Sequence, residues 1–372
     1  MRTLNDIDGH LQMNPSQLST VFGDEASVLP GQPLSPVPRA DAAQARAGRR
    51  PDPQSVWAMK GAAAYGASSA SERLEVLDAM GVRCQLVLPR VRVALAAWHG
   101  LADGRDTLVE RFNEFMAEWQ KEDPRRLFGV GVVTMTKPSK TLAQIEAARR
   151  LGLRALLFPC FEAPGGFSPG GSQWDAVWKA VADANMTIVL HAGSEQRFLS
   201  AGWTPDHTAM GFSATPHMLR QKIDVATVDM FKLLTMSYGP QVFLSSLLVG
   251  GVLVRYPALR IAVAEFGASW LAPFVAMLDA HAEEFAGLGA GDARRPSELL
   301  LRCLRIAPSH WEPVEHFLIR DEMSRFYCFS TDFPHSEGGQ QTLAVAESRL
   351  GELPREIVQG YFHDNASLIF ER

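Results

Sequence analysis

The chain has 372 residues, 47% of them hydrophobic and 21% charged, with a formal net charge of -5. That is enough apolar material for a large core, and an acidic balance with no long basic run argues against a nucleic-acid partner. Cys84, Cys160, Cys303 and Cys328 lie far apart and form no CxxC pair, so reduced core thiols in a cytoplasmic protein are expected rather than a cysteine zinc site or a disulfide framework.

The opening "MRTLNDIDGH" lacks the basic-then-apolar pattern of a secretory signal and reads as a first strand ending at His10. Residues 14–55, rich in Pro, Ala, Asp and Arg, read as a long irregular loop and a candidate lid. "SERLEVLDAMG" is a capped helix with Leu74 and Leu77 on one face and Gly81 as its stop. "VRCQLVLP" follows as a buried strand. "LVERFNEFMAEW" places Leu108, Phe112, Phe115, Met116 and Trp119 on one helical stripe. Then come the strand "LFGVGVV", the helix "TLAQIEAARRLG", the strand "RALLF", the helix "WDAVWKAVADA" and the strand "MTIVL", which ends at His191.

After His191 the rhythm breaks for a partly helical insertion, residues 194–256. Its longest apolar run, "SLLVGGVLV", stops at Arg255 and is too short to span a bilayer, so no membrane partner is expected. The strand "LRIAVAE", the helix "SWLAPFVAMLDAHAEEF", the short strand "LRCLRI" and a last strand "FYCFSTD" complete the chain. Eight strands alternating with helices predict an α/β fold, a (β/α)8 TIM barrel in one domain over residues 1–372, with a helical insertion between strands 5 and 6.

In such a barrel the chemistry sits at the C-terminal strand ends. Strand one ends in Asp8-Gly9-His10, where residues two apart share a face. Strand five ends at His191, strand six at Glu265 and strand eight at Asp332. Alone, each residue has an ordinary reading as a turn former, a cap or a satisfied histidine. Together they place metal-capable groups on four strand ends, and imidazole with carboxylate suits Zn, Mn or Fe. For Glu265 the structural alternative is a carboxylate bonded to the backbone N–H groups of "GAS" at the next helix start. His335 follows Asp332 closely and either contacts the substrate or holds the loop. Arg90 and Trp98, after strand two, are candidates for a substrate carboxylate and ring, weighed against a surface ion pair and a core aromatic.

The stretches "DIDGH", "TIVLHAG", "GGVLVRYPALRIAVAEFGASWL", "FSTDFPHSEGG" and "HDNASLIF" resemble the amidohydrolase superfamily, and within it the amidohydrolase-2 group of metal-dependent, aminocarboxymuconate-semialdehyde-decarboxylase-like enzymes. The resemblance implies a divalent metal, Zn or Mn, on Asp8, His10, His191 and Asp332, with Asp332 also handling a proton. Catalytic residues are then Asp332, Glu265 and His191, and a homodimer acting on a small molecule is implied. Two positions depart from the pattern. The first pair is Asp-x-His rather than His-x-His, which favours a harder ion, and Glu265 stands where decarboxylases of the group often carry a histidine. Glu265 is then a further ligand, a general acid or base, or an orienter of a histidine. The expected activity is decarboxylation of a small cyclic or aromatic carboxylic acid. The alternatives are hydrolysis of an amide, ester or lactone, and a non-catalytic barrel that binds a ligand.

Overall fold

The computed structural model describes residues 3–23, 51–61, 64–89, 93–94, 97–98, 105–161, 164–192, 203, 230–285, 294–319, 321–335 and 338–371. Seven parallel strands lie side by side in chain order: β1 (Leu4–His10), β2 (Val82–Leu88), β3 (Leu127–Val132), β4 (Ala155–Leu157), β5 (Thr187–His191), β6 (Arg260–Ala264) and β7 (Leu304–Ile306). Helices cover them, among others α1 (Pro15–Phe22), α2 (Ala70–Met80), α3 (Arg105–Gln120), α4 (Pro138–Arg150), α5 (Asp175–Asp183), α6 (Tyr238–Val249), α7 (Leu271–Glu284) and α8 (Pro296–Cys303). Parallel strands joined by crossover helices are buried on both faces, which is why β3 and β5 read as near-continuous apolar runs. The stripe of α3 does what its spacing predicts: Leu108, Val109, Phe112, Met116 and Trp119 are buried, and Phe115 packs beside them.

The eighth position closes the circle without becoming a regular strand. Ile306 N–H donates to Phe326 O (2.8 Å) and Cys328 N–H to Ile306 O (2.9 Å) on one side. On the other, Ile7 N–H donates to Phe329 O (3.4 Å) and His10 N–H to Phe333 O (2.7 Å). The ladder is reduced to two isolated bridges, Ile306 with Tyr327 and Gly9 with Phe333. The reason is local: Thr331 N–H and Phe333 N–H donate to side chains, Asp6 Oδ1 and Thr331 Oγ1, rather than to a neighbouring backbone. The molecule is thus a TIM barrel whose last strand is replaced by an extended segment.

Two other elements differ from the sequence reading. Residues 301–303, expected to start strand seven, belong to α8, where Pro296 occupies the first turn and Leu299, Leu300 and Cys303 form one buried face. Residues 15–22, expected to be loop, form α1. Asn14 accepts from Gln17 N–H (2.9 Å) while its own N–H donates to Gln17 Oε1 (2.9 Å), a reciprocal capping box with Pro15 in the first turn. Residues 24–50, the rest of the candidate lid, lie outside the described residues, as do 193–202 and 204–229 of the insertion. The four cysteines are buried and unpaired. No helix among the described residues is long and apolar enough to cross a membrane.

β1 and β2 pair with a register shift between Asp6 and Gly9. A Cβ added at Gly9 would run into the Cδ and Nε2 atoms of Gln85, a fully buried side chain held at both ends by hydrogen bonds. Gly9→Ala is therefore expected to lower the unfolding free energy by about 1–3 kcal/mol, the range for overpacked cores. Urea denaturation measures it, and an unchanged midpoint would mean that Gln85 yields.

Candidate metal centre

Five side chains from four places in the barrel meet at its C-terminal end. Asp8 and His10 come from β1, His191 from the last residue of β5, Glu265 from the residue after β6, and Asp332 from the closing segment. His10 Nε2 lies 3.2 Å from Asp8 Oδ1, 3.2 Å from Glu265 Oε1 and 3.3 Å from Asp332 Oδ1. His191 Nε2 lies 3.5 Å from Asp8 Oδ1 and 3.4 Å from Glu265 Oε1. Asp8 Oδ1, His10 Nε2, His191 Nε2 and Asp332 Oδ1 are nevertheless buried atoms with no hydrogen-bond partner. Buried polar atoms in native proteins are almost always satisfied. Unsatisfied atoms gathered at one end of the barrel fit a divalent cation as the missing partner: one ligand atom from each of Asp8, His10, His191 and Glu265 falls within 4.8 Å of the others, while Asp332 groups with His10, Glu265 and His335.

The local backbone supports this convergence. Glu265 (φ 59°) and Asp332 (φ 47°) both sit in the left-handed region, which non-glycine residues rarely adopt. Such conformations cost of order 1–3 kcal/mol each and concentrate at functional sites. His191 Nδ1 is 2.7 Å from Ala192 O, so the ring donates there and turns its Nε2 lone pair inward.

Glu265 does not play the structural part weighed for it. The N–H groups of Ala268 (2.9 Å) and Ser269 (2.9 Å) donate to the carboxylate of Glu312 instead, as does Ser309 N–H (2.8 Å). Gly267, at φ 65°, brings this turn against Glu312. Glu312 from the loop after β7 thus fixes the turn that carries Glu265, and the Glu265 carboxylate is left for the cluster.

His335 joins the same group of side chains. Its ring stacks on His10 with centroids 3.9 Å apart, and its Nδ1 lies 2.9 Å from Asp332 Oδ1 and 3.2 Å from Glu265 Oε1. Its Nε2 meets Gln12 Nε2 at 2.8 Å, so Gln12 donates and the proton of neutral His335 sits on Nδ1, facing the carboxylates. His10, Glu265, Asp332 and His335 form a second metal-capable set that shares two members with the first. Trp98 Nε1 donates to Val133 O (2.8 Å), just past the C-terminal end of β3, and its ring packs near Phe161. Arg90 lies outside the described residues.

Electrostatics bind the group together. Burial opposes the cationic form of His10, but Asp332, Asp8 and Glu265 hold its pKa well above the ordinary 6.5. Burial likewise opposes the His191 cation, and Glu265 and Asp8 outweigh it. Burial favours neutral Glu265, yet His191, His10 and His335 keep it well below the usual carboxylate range. Asp8 is lowered too, burial being outweighed by His10 and His191. His335 is raised to about 9, burial and His10 being overcome by Asp332 and Glu265.

The sign of the pH dependence follows. Protonated His10 and His191 contribute stability to the metal-free fold that is fully present below about 6.5 and is lost as pH rises through their raised folded values. An ion needs neutral imidazoles and must displace those protons. Mn²⁺ affinity is therefore expected to rise with pH above 6.5, by about tenfold per unit for each proton displaced. Calorimetric titration at pH 6, 7 and 8 reads this directly; a pH-independent dissociation constant would remove the histidines from the ligand set.

Comparison with known proteins gives the context. A model of the amidohydrolase family matches residues 66–372. β1, with Asp8 and His10, lies before the matched stretch, so their place in the site rests on the geometry above. No curated protein matches the chain. Among solved structures, the chain is similar to an amidohydrolase from Mycobacterium avium subsp. paratuberculosis K-10, with a TM-score of 0.74 and 16% identity over 100% of this chain and 98% of that one. It is also similar to 5-carboxyvanillate decarboxylase from Sphingomonas paucimobilis, with a TM-score of 0.64 and 16% identity over 100% and 99% of the two chains. A third is dihydroxybenzoic acid decarboxylase from Polaromonas sp. JS666 with bound manganese and the inhibitor 2-nitroresorcinol, with a TM-score of 0.62 and 16% identity over 100% and 97%. The family match covers most of the chain: it belongs to the amidohydrolase family of enzymes, which sets aside the reading as a non-catalytic barrel.

Proposed function

We propose that this enzyme is a metal-dependent, non-oxidative decarboxylase of a small cyclic or aromatic carboxylic acid. The observation that carries the reading is the composition of the cluster: three carboxylates, Asp8, Glu265 and Asp332, with the two inward-facing imidazoles of His10 and His191. Asp8, His10, His191 and Asp332 would hold the ion, with Glu265 as a further ligand. Bound there, a divalent ion supplies a Lewis acid for anionic substrate oxygens. Three carboxylates already offset its charge, which weakens its power to acidify water relative to a histidine-rich set. Decarboxylation needs no nucleophilic water. The similarity to two aromatic-acid decarboxylases, one of them with bound manganese, supports the same choice and favours Mn over Zn.

In this scheme the bond between the ring carbon and the carboxylate breaks, its electron pair stays on the carbon, and CO₂ leaves. The carbon then needs a proton. The His335 cation, favoured by Asp332 and Glu265, would hold that proton on Nδ1, 2.9 Å from Asp332 Oδ1, and pass it on through Asp332, leaving a neutral imidazole. Glu265 Oε1, 3.2 Å from the same Nδ1, keeps the imidazole protonated until transfer. In the hydrolytic alternative the same pair would accept a proton from water instead. The protein is further proposed to be a cytoplasmic homodimer.

The two reactions are separated by isotope. Hydroxybenzoates, β-keto acids, lactones and amides are incubated with the Mn²⁺-loaded enzyme in H₂¹⁸O with CO₂ trapping. Release of CO₂ with no ¹⁸O in the organic product is expected. Incorporation of ¹⁸O into a new carboxylate without CO₂ would establish the hydrolase.

A further inference from the structure

Behind the candidate ligands lies a second polar cluster that is fully enclosed. Arg73 of α2, Gln85 of β2 and Asp6 of β1 have no exposed surface, and Thr331 has almost none. Asp6 Oδ1 accepts from Asp8 N–H (3.0 Å) and Thr331 N–H (3.0 Å). Asp6 Oδ2 accepts from Gln85 Nε2 (2.7 Å) and from the Thr331 hydroxyl (2.6 Å). The Thr331 hydroxyl oxygen in turn accepts from Phe333 N–H (3.0 Å). Gln85 Oε1 accepts from Arg73 (2.7 Å), whose other nitrogens donate to the carbonyls of His10 (2.6 Å) and Gly66 (2.7 Å). The guanidinium also lies over the Phe333 ring, 4.8 Å from its centroid.

These contacts share one property. They grip the backbone of the candidate ligands, and not their ligating atoms. Asp8 is held by its N–H, His10 by its carbonyl, and Asp332 by the residues on both its sides, Thr331 and Phe333. One carboxylate, Asp6, bonds both Asp8 and the closing segment, whose backbone meets β1 through an isolated bridge and two hydrogen bonds. Burying an arginine and an aspartate this deeply is unfavourable unless both are fully bonded. A hydrophobic pair would close the barrel as well, but it could not fix the spacing between two backbone arms.

We propose that Asp6, Gln85, Arg73 and Thr331 are positioning residues, a bracket that sets the distance between the Asp8–His10 pair and Asp332 and so tunes the affinity and geometry of the metal centre. This rests on the reading of the cluster as a divalent-metal site and not on the reaction assigned to it.

The test uses Thr331 and Gln85, neither of which is a candidate ligand. Thr331→Val keeps the shape and removes the hydroxyl; Thr331→Ser restores the hydroxyl. Gln85→Leu cuts the bracket on its other side. Each full-length variant is checked for folding without metal by circular dichroism, then titrated with Mn²⁺ and examined by electron paramagnetic resonance. Thr331→Val and Gln85→Leu are expected to weaken Mn²⁺ binding by about 10–100-fold, the scale for outer contacts of metal ligands. Their Mn²⁺ spectra should change, and Thr331→Ser should return both readouts to near wild type. The double variant should lose much less than the product of the single losses, because both contacts act through Asp6. Folded Thr331→Val and Gln85→Leu proteins with wild-type affinity and spectrum would overturn the bracket while leaving the metal centre standing. If neither variant folds, the cluster is an element of the fold and the positioning role is rejected. A wild-type protein that binds no Mn²⁺ would remove the metal-site reading and this proposal with it.

Discussion

The structure depends on one electrostatic constraint. Three carboxylates and two imidazoles are gathered at the end of a barrel, with contacts of 3.2–3.5 Å between imidazole nitrogens and carboxylate oxygens. Like charges in a low-dielectric pocket repel strongly unless a counter-charge is present. Without an ion, protons must supply it, and the raised pKa values of His10 and His191 express that demand. A dication meets it with neutral imidazoles. The same pocket can thus hold protons or, with those protons displaced, offer a candidate ligand set to a dication.

Holding such a group together requires rigid support, and the fold provides it in two places. Glu312 ties down the turn after β6, so that Glu265 projects inward from a strained backbone. The Asp6–Gln85–Arg73 cluster does the same for β1 and for the segment that takes the place of an eighth strand. In that segment, regular strand pairing gives way to side-chain bonds around Asp332. The loss of ladder hydrogen bonds and the projection of the Asp332 carboxylate into the cluster are the same structural event, consistent with the way barrels place catalytic groups at strand ends.

Much of this could be read from the chain, and the failures have physical causes. The βα alternation and the buried stripes are period-based signals that survive folding, and they located seven of the strands. The eighth position departs from regular strand because "FYCFSTD" has strand composition while its pairing is decided by Asp6, distant in sequence. The helix at 15–22 had a visible signal, Asn14 with Gln17 three residues on, masked by a proline-rich neighbourhood. Strand ends brought out Asp8, His10, His191, Glu265 and Asp332 because carboxylates and histidines are unexpected at the close of apolar runs. Arg73, Gln85 and Glu312 gave no such signal. Polar residues in helices, strands and loops normally face water, and only the packing shows that these do not. Asp6 was closer to legible, since it continues the two-residue spacing of Asp8 and His10.

The most direct measurement is diffraction from crystals grown with Mn²⁺, collected on both sides of the manganese absorption edge. The account predicts one anomalous peak per chain, bonded to Asp8 Oδ1, His10 Nε2, His191 Nε2 and Asp332 Oδ1, with Glu265 Oε1 as a further ligand, at about 2.0–2.3 Å, the range for such ligands. A fully formed cluster with no peak among these atoms, or a peak bound elsewhere in the chain, would contradict it.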